Sequence, residues 1–498
     1  MSKFYLTTAI AYLNGAPHIG HSLEFIQADA ISRFKKMRGD SVFFLTGTDE
    51  HGIKVYEKAL SSGKDPKVFV DEMAEKYFDI CEKLNVKYDD FIRTSSEKHK
   101  NGASEIWKIL EKNGDIYLGE YEGKYCKGCE AYLNERDIDE NGNCLVHAVK
   151  PESIKEQNYF FKLSKYSEKI KDLIESDALK ILPESRKNEM LGIIGEEGLK
   201  DVSFSRPKSA LPWGVEVPSN KEHVMYVWCD ALSNYLTAIG LDSKLWPADV
   251  HLIGKDILRF HAGIWIGMLL SLGVEIPKMI LVHGFVTSRG EKMSKSIGNV
   301  VNPFEYYEKY GTDYLRYYLL REIPTLSDGD FIHERFMETI NSELSNNIGN
   351  LFNRVLMMTE RFISSELSFE FEDEFKAKLN GWYFEYNEAF ESYDIKRASE
   401  VVLKVSDFAN KFIDEKKPWA MAKELSLKEE LETLMAKLIE LLSLITHLLY
   451  PIIPESAIKM GGGLGLSEKE ILKGYVVSKV PSNFEIKAGD ILFIRLEE

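Results

Sequence analysis

Pro17-His18-Ile19-Gly20-His21 places two imidazoles three residues apart where an apolar strand pattern gives way to a helical one. A helix start offers unpaired N–H groups and the positive end of the helix dipole, and a glycine there lets a flat ring or a phosphate approach the backbone. About 270 residues later, Lys292-Met293-Ser294-Lys295-Ser296 follows a strand pattern and the segment Thr287-Ser288-Arg289-Gly290. Two lysines and two serines on such a loop can donate several charge-assisted hydrogen bonds to a polyphosphate, and a loop can close once a nucleotide is bound. A third set is Cys126-Lys127-Gly128-Cys129, then fourteen residues, then Cys144-Leu145-Val146-His147. Three thiolates and an imidazole on two hooks make a closed tetrahedral set suited to one structural zinc, with no open position for a substrate.

Elements able to hold these groups are legible around them. From residue 3 to about 115, short β-type runs (Phe4 to Ala11, Ser41 to Thr46) alternate with helical patterns (His21 to Met37, Pro66 to Leu84, His99 to Asn113). That alternation predicts a parallel sheet flanked by helices. Near Asp115 the texture changes to a glycine-rich segment around the cysteine hooks, which reads as an insertion that zinc would order. The α/β rhythm resumes near Glu222: His223 to Cys229, Asp249 to Ile253 and Met279 to His283 read as strands, and Ile257 to Leu272 as an apolar helix. After about Thr325 helical patterns take over (Phe331 to Asn353, Phe375 to Ala389, Ile395 to Asp414, Ser426 to Leu449). The expected fold class is α/β, a split Rossmann-like parallel-sheet domain with a zinc-knuckle insertion, followed by an all-α helical bundle. Cys81 and Cys229 stand outside the hook spacing and are expected to be small buried hydrophobes.

Composition narrows the function classes. The 498 residues are 44% hydrophobic, 12% aromatic and 29% charged, which excludes a disordered or collagen-like chain and suggests roughly three domains. Lys plus Arg number 63 against 79 Asp plus Glu, a net charge of −16, so a nucleic-acid partner needs a local basic path rather than a global field. Five cysteines, odd and sparse, argue for a reducing compartment and hence the cytoplasm. The N-terminus carries no signal-peptide pattern. The longest apolar stretch, Leu441 to Pro454, holds His447 and two prolines and reads as a buried core helix rather than a membrane span.

Taken together, the complete HIGH and KMSKS sequences, in this order on this α/β texture, resemble the signatures of class I aminoacyl-tRNA synthetases. Small nucleotidyltransferases also use an HxGH element, but they need neither a zinc knuckle nor a C-terminal bundle. Four further segments narrow the resemblance: Ala9 to Gly15 (AIAYLNG), Gly47 to Gly52 (GTDEHG), Tyr226 to Tyr235 (YVWCDALSNY) and Ile253 to Trp265 (IGKDILRFHAGIW). With them the chain is similar to the methionyl-tRNA synthetase family along nearly its whole length.

The resemblance implies an ATP-dependent ligase that makes methionyl-adenylate and transfers methionyl to tRNA(Met), initiator and elongator. It implies that His18, Gly20, His21, Ser294 and Lys295 bind ATP, with His18, His21, Lys292 and Lys295 catalytic and magnesium accompanying the nucleotide. Ile10, Tyr12, Trp228, Ala231, Leu232, Tyr235, Ile257, His261 and Trp265 would line the methionine pocket. Asp49 would take the α-ammonium, and Arg206 would pair with that aspartate in support. Cys126, Cys129, Cys144 and His147 would hold one zinc per chain. Trp419, after Pro418, would stack on an anticodon base, with Asn347, Asn350 and Arg354 nearby. The implied domains are 1–116 (first catalytic half), 117–221 (connective insertion), 222–285 (second catalytic half), 286–340 (stem-contact region with the KMSKS loop) and 341–498 (anticodon-binding bundle). An insertion this short implies no separate editing domain, and a monomer is expected.

Overall fold

The computed structural model describes residues 2–128, 131–133, 137–146, 148–293, 299–363, 370–477 and 491–497. Ser294 and Lys295 of the lysine-serine loop, and Cys129 and His147 of the hooks, lie outside the described residues.

The first strand, Lys3–Thr8, shows why a parallel sheet forms. Phe4 and Leu6 pack into one apolar cluster and Tyr5 into another, so alternate side chains are buried on opposite faces. A strand covered on both sides needs partners on both edges and helices above and below. Lys3–Thr8 pairs in parallel with Ser41–Asp49 on one side and Val250–Gly254 on the other. Asp90–Arg93 extends the sheet beyond Ser41–Asp49, and Met279–His283 extends it beyond Val250–Gly254. Each fully buried Leu, Ile or Phe in these layers contributes about 1.5–3 kcal/mol.

The sheet closes with a strand from within the expected insertion, 117–221. Lys180–Leu182 pairs in parallel with Met279–His283 and forms the far edge. Residues 117–221 are therefore not one excursion from the catalytic domain. An antiparallel sheet containing Ile116–Cys126 and Glu152–Phe161 stands apart, and the chain then re-enters the main sheet. Three residues are too few to show a periodic pattern, and only the open edge of Met279–His283 makes them a strand.

Two other elements differ from expectation. The strand expected over His223 to Cys229 stops at Met225, and Val227–Leu232 is a short helix. The apolar helix expected over Ile257 to Leu272 is instead a 3₁₀ turn (Lys255–Ile257), a π-helical segment (Phe260–Trp265) and an α-helix (Ile266–Leu272). A second π-helical segment, Ile340–Gly349, interrupts the helix expected over Phe331 to Asn353. Such segments are costly in a regular helix and concentrate where side chains must be re-aimed.

The helical region contains Asp373–Glu391, Ile395–Lys416 and Lys428–Leu449, close to the expected spans. Leu441 to Leu449 is buried almost throughout, as a core helix should be. A charged node joins this bundle to the helix Ile19–Met37, which His18 precedes and which contains His21. Buried Asp29 on that helix accepts from Arg33 and Arg316, each at 2.7 Å, and Arg316 Nε donates to the Ile452 carbonyl at 2.9 Å. Removing one partner from such a buried set leaves an uncompensated charge, costing about 3–5 kcal/mol. Cys81 and Cys229 are buried, and burial pushes both thiols up, as expected of inert packing residues.

Candidate active site

Strand order reverses between Lys3–Thr8 and Val250–Gly254: the chain builds the sheet outward from Lys3–Thr8 in one direction, then returns to its other side. Helices leaving the two strands on opposite faces open a crevice beyond their carboxyl ends. A cavity of about 700 Å³ lies there, and residues following both strands, Ala9 to Tyr12 and Gly254 to Ile257, line it.

On one wall stand His18, Gly20 and His21. His18 caps the helix Ile19–Met37: its Nδ1 accepts from the Gly20 N–H at 3.1 Å, and His21 Nδ1 accepts from the His18 N–H at 3.3 Å. A ring nitrogen that accepts carries no proton, so in the neutral rings both protons sit on Nε2. The two rings lie 3.9 Å apart at 31°. Burial, with His18 and His283 nearby, holds His21 well below the usual imidazole range, so it is neutral at pH 7 and donates without charge. A Cβ on Gly20 would meet His18 Cε1 at 3.0 Å, so the glycine preserves the ring position.

Near His21 lies a pair that is absent from the sequence expectations. Glu24, one helical turn on, meets His283 Nε2 at 2.9 Å, and His283 closes the strand Met279–His283. Burial alone would lower His283, but Glu24 and the Gly284 carbonyl hold it above the ordinary value. Both residues line the cavity, as does Asp256. A carboxylate three residues beyond the second histidine, on the same helix face, was the available signal. Lys292 ends a short strand, Glu291–Lys292, which pairs antiparallel with Val286–Ser288.

The other wall is aromatic and aliphatic. Ile10, Tyr12, Trp228, Ala231, Leu232, Tyr235, Ile257 and His261 all line the cavity. Trp228 stacks on Phe260 with centroids 3.8 Å apart. His261 Nδ1 lies 3.0 Å from the Ile257 carbonyl, which can only accept, so Nδ1 carries the proton and Nε2 accepts from the Tyr235 hydroxyl at 2.7 Å. Burial lowers His261 to about 4. The pair is thus neutral and internally satisfied. Trp265 is not a lining residue: it is fully buried one layer back, its N–H donating to His251 Nε2 at 3.2 Å and its ring 5.7 Å from Tyr235. For this tryptophan, core packing describes its place and the pocket lies beyond Tyr235.

Asp49, 7% exposed, ends the strand Ser41–Asp49 and reaches the cavity between the two walls. Its neighbours are held firmly: Glu50 accepts from Arg93 Nε at 2.6 Å and Nη2 at 3.0 Å, and from Thr48 at 2.6 Å. Arg206 sits differently from expectation. Its guanidinium forks onto Glu156, at 2.7 and 3.1 Å, over the Tyr125 ring, so the ion partner seen here is a carboxylate of the insertion rather than the expected aspartate of the pocket.

Cys126 and Cys144 are buried together in a small cluster with Leu133, against which Ile138 packs. Two of the three buried members of that cluster are thiols, while Leu145 and Val146 of the second hook are exposed. The knuckle reaches the mouth of the cavity, where Gly128 and Val146 line it and Lys54 donates to the Gly128 carbonyl. In the bundle, Trp419 is 43% exposed on the short turn Pro418–Met421. Asn347 donates to Asp407 at 2.7 Å and Arg354 meets Asp414 at 3.2 Å, linking the first helix of this region to Ile395–Lys416, while Asn350 is exposed.

Comparison with known proteins agrees with this arrangement. The family described as tRNA synthetases class I (M) matches residues 4–144 and 140–356, and the anticodon binding domain of methionyl tRNA ligase matches 365–498. The chain is 40% identical to the methionine–tRNA ligase of Listeria innocua, across 100% of this chain and 78% of that one. It is 39% identical to that of Thermotoga maritima, across 99% and 80%. Among solved structures, Mycobacterium tuberculosis methionyl-tRNA synthetase bound by methionyl-adenylate superposes with a TM-score of 0.93 at 36% identity, covering 99% of this chain and 100% of that one. With the site at the switch point, the sheet order and the terminal bundle all accounted for, the chain belongs to the methionyl-tRNA synthetase family of class I aminoacyl-tRNA synthetases.

Proposed function

We propose that the chain is an ATP-dependent methionine–tRNA ligase: it joins methionine to ATP as methionyl-adenylate, releasing pyrophosphate, and passes the methionyl group to initiator and elongator tRNA(Met). The observation that carries this reading is the convergence, in one cavity at the switch point, of two imidazole donors, a strand-end carboxylate and an aromatic slot. An acyl-adenylate presents those three chemistries side by side.

The methionine carboxylate attacks the α-phosphorus, and negative charge grows on phosphoryl oxygens and on the departing pyrophosphate. Catalysis of this kind is positioning plus electrostatic stabilisation. His18 and His21 supply Nε2–H donors fixed by the helix cap, while Lys292 and Lys295, with Ser294, neutralise and hold the pyrophosphate. Magnesium accompanies ATP as its counterion. Glu24 and Asp256 are suited to the ribose hydroxyls of the nucleotide. Asp49 takes the ammonium. Tyr12, Trp228 and the neutral Tyr235–His261 pair present polarisable faces to a thioether, from which sulfur gains modestly. Trp265 supports Tyr235 from behind, and Arg206 steadies the insertion beside the pocket.

Cys126 and Cys144, clustered and thiol-rich, fit a zinc site completed by Cys129 and His147. A zinc ion held by these four residues would supply structural order to the knuckle at the cavity mouth. Trp419 offers an exposed indole to an unstacked anticodon base, and Asn347, Asn350 and Arg354 are the polar side chains assigned to read its edges. No helix among the described residues is long and apolar enough to cross a membrane. The five sparse cysteines favour a reducing compartment, and we read the chain as cytoplasmic on that ground. An amino-acid screen by ATP–pyrophosphate exchange tests the function. Methionine should support exchange far better than the other nineteen; a different amino acid giving the highest kcat/KM refutes the reading.

A further inference from the structure

Beneath the cavity lies a buried group of titratable side chains that no step above uses. Asp230, with 0% exposure, has both carboxylate oxygens occupied by imidazoles: Oδ2 by His51 Nδ1 at 2.6 Å and Oδ1 by His99 Nε2 at 2.8 Å. His99 continues through Nδ1 to the Thr237 hydroxyl at 2.8 Å. Burial on its own would raise Asp230, yet the two rings hold its carboxyl far below the usual range, so it stays an anion. None of the three lines the cavity, so none touches the substrate.

The network matters for which elements it joins. His51 lies two residues beyond Asp49, in the turn between the strand Ser41–Asp49 and the helix Ile53–Ser61. Asp230 lies on Val227–Leu232, the helix whose Trp228, Ala231 and Leu232 form the apolar wall. His99 comes from behind, on Glu97–Lys112, a helix held close because a Cβ on Gly102 would meet Thr237 Cγ2 at 2.6 Å. The far side of His51 is closed by the Trp213 ring at 5.3 Å, and the Trp213 indole donates to the Glu50 carbonyl at 2.7 Å. Thus the residue before His51 and the ring of His51 are both anchored, and Asp230 alone among these contacts links them to the helix of the apolar wall.

We propose that Asp230 is a positioning residue for methionine recognition: by bridging His51 and His99 it fixes the strand end carrying Asp49 against the helix carrying Trp228, Ala231 and Leu232. The ammonium and the thioether of the substrate are then read at one set separation. Two anchors on separate elements specify substrate length only if the elements cannot slide. A carboxylate holding two N–H donors in the protein interior resists such sliding, because each displaced donor would be left unpaired. The inference rests on the reading of Asp49 as the ammonium's partner.

The test uses the full-length enzyme with Asp230→Ala, Asp230→Asn and Asp49→Asn. Pyrophosphate exchange gives KM for methionine and for ATP. Binding is measured with L-methioninol, which keeps the ammonium, and with 4-(methylthio)butanoate, which lacks it. In Asp230→Ala, methionine KM should rise about ten- to a hundredfold, as small misplacements of a binding group do, while kcat and the ATP KM move by less than about threefold. Methioninol should weaken in proportion and the deaminated compound should not. Asp230→Asn should recover most of the affinity and still show a rise of about threefold, since its amide oxygen accepts from His51 while His99 changes tautomer and donates to Thr237 instead. Unchanged methionine KM in a folded Asp230→Ala overturns the proposal, as does equal weakening of the deaminated compound. If the alanine variant does not fold, wild-type methionine KM in Asp230→Asn overturns it. Should Asp49→Asn keep the preference for the ammonium, the reading of Asp49 fails; should it lose the preference while Asp230→Ala retains it, only the positioning inference fails.

Discussion

The neutral state of His261 makes acid sensitivity calculable. This imidazole, 2% exposed, binds its proton at about 4 in the folded protein against an ordinary 6.5. Between these values the unfolded chain binds a proton that the folded chain refuses, so folding stability is lost as pH falls through that window and is fully present above 6.5. The whole effect is about 3 kcal/mol, of which about 2 kcal/mol is lost by pH 5. His21 and His251, also lowered by burial, act in the same direction, whereas His283, raised by Glu24, acts in the opposite one. A difference measurement isolates the residue: urea unfolding followed by tryptophan fluorescence, wild type against His261→Gln, at pH 7.5 and pH 5. The variant should be less stable at pH 7.5, where it lacks the Tyr235 and Ile257 hydrogen bonds, and the gap should shrink by about 2 kcal/mol at pH 5. A gap of equal size at both values would refute the claim that burial keeps this ring neutral, and with it the account of an uncharged thioether slot.

Lys295→Ala should lower the rate of methionine-dependent pyrophosphate exchange about a hundredfold or more, with methionine binding by equilibrium dialysis retained; unchanged exchange removes this lysine from the transition state. Trp419→Ala should leave exchange intact and reduce tRNA charging about 5- to 100-fold in kcat/KM, the range expected for one lost base–aromatic stack. Equal loss of both activities in that variant indicates misfolding rather than lost recognition. Elemental analysis should find about one zinc per chain, and Cys144→Ser should lose it together with protease resistance of the knuckle; a fully active preparation without zinc contradicts the assignment.

Elements with enough apolar residues in a row, or along one face, are legible from the residues alone. The strand Met279–His283 is legible as a short continuous apolar run of the kind a strand buried on both faces needs, and the helix Lys428–Leu449 as a longer apolar segment without proline or glycine. The HIGH element was legible for a related reason: it acts through the helix start it caps, a local feature. Elsewhere a partner distant in sequence chooses the conformation. Lys180–Leu182 is a strand because an open sheet edge accepts it. Val227–Leu232 reads as well for a strand as for a helix, and it is helical where Asp230 meets His51 and His99. Trp265 and Trp228 have the same kind of surroundings in sequence, yet Tyr235 stands between one of them and the cavity. Arg206 took the carboxylate that folding brought beside it, Glu156. Periodicity encodes which face is apolar, whereas the choice of partner for a buried charge depends on which groups arrive together, and that is settled only when the layers pack.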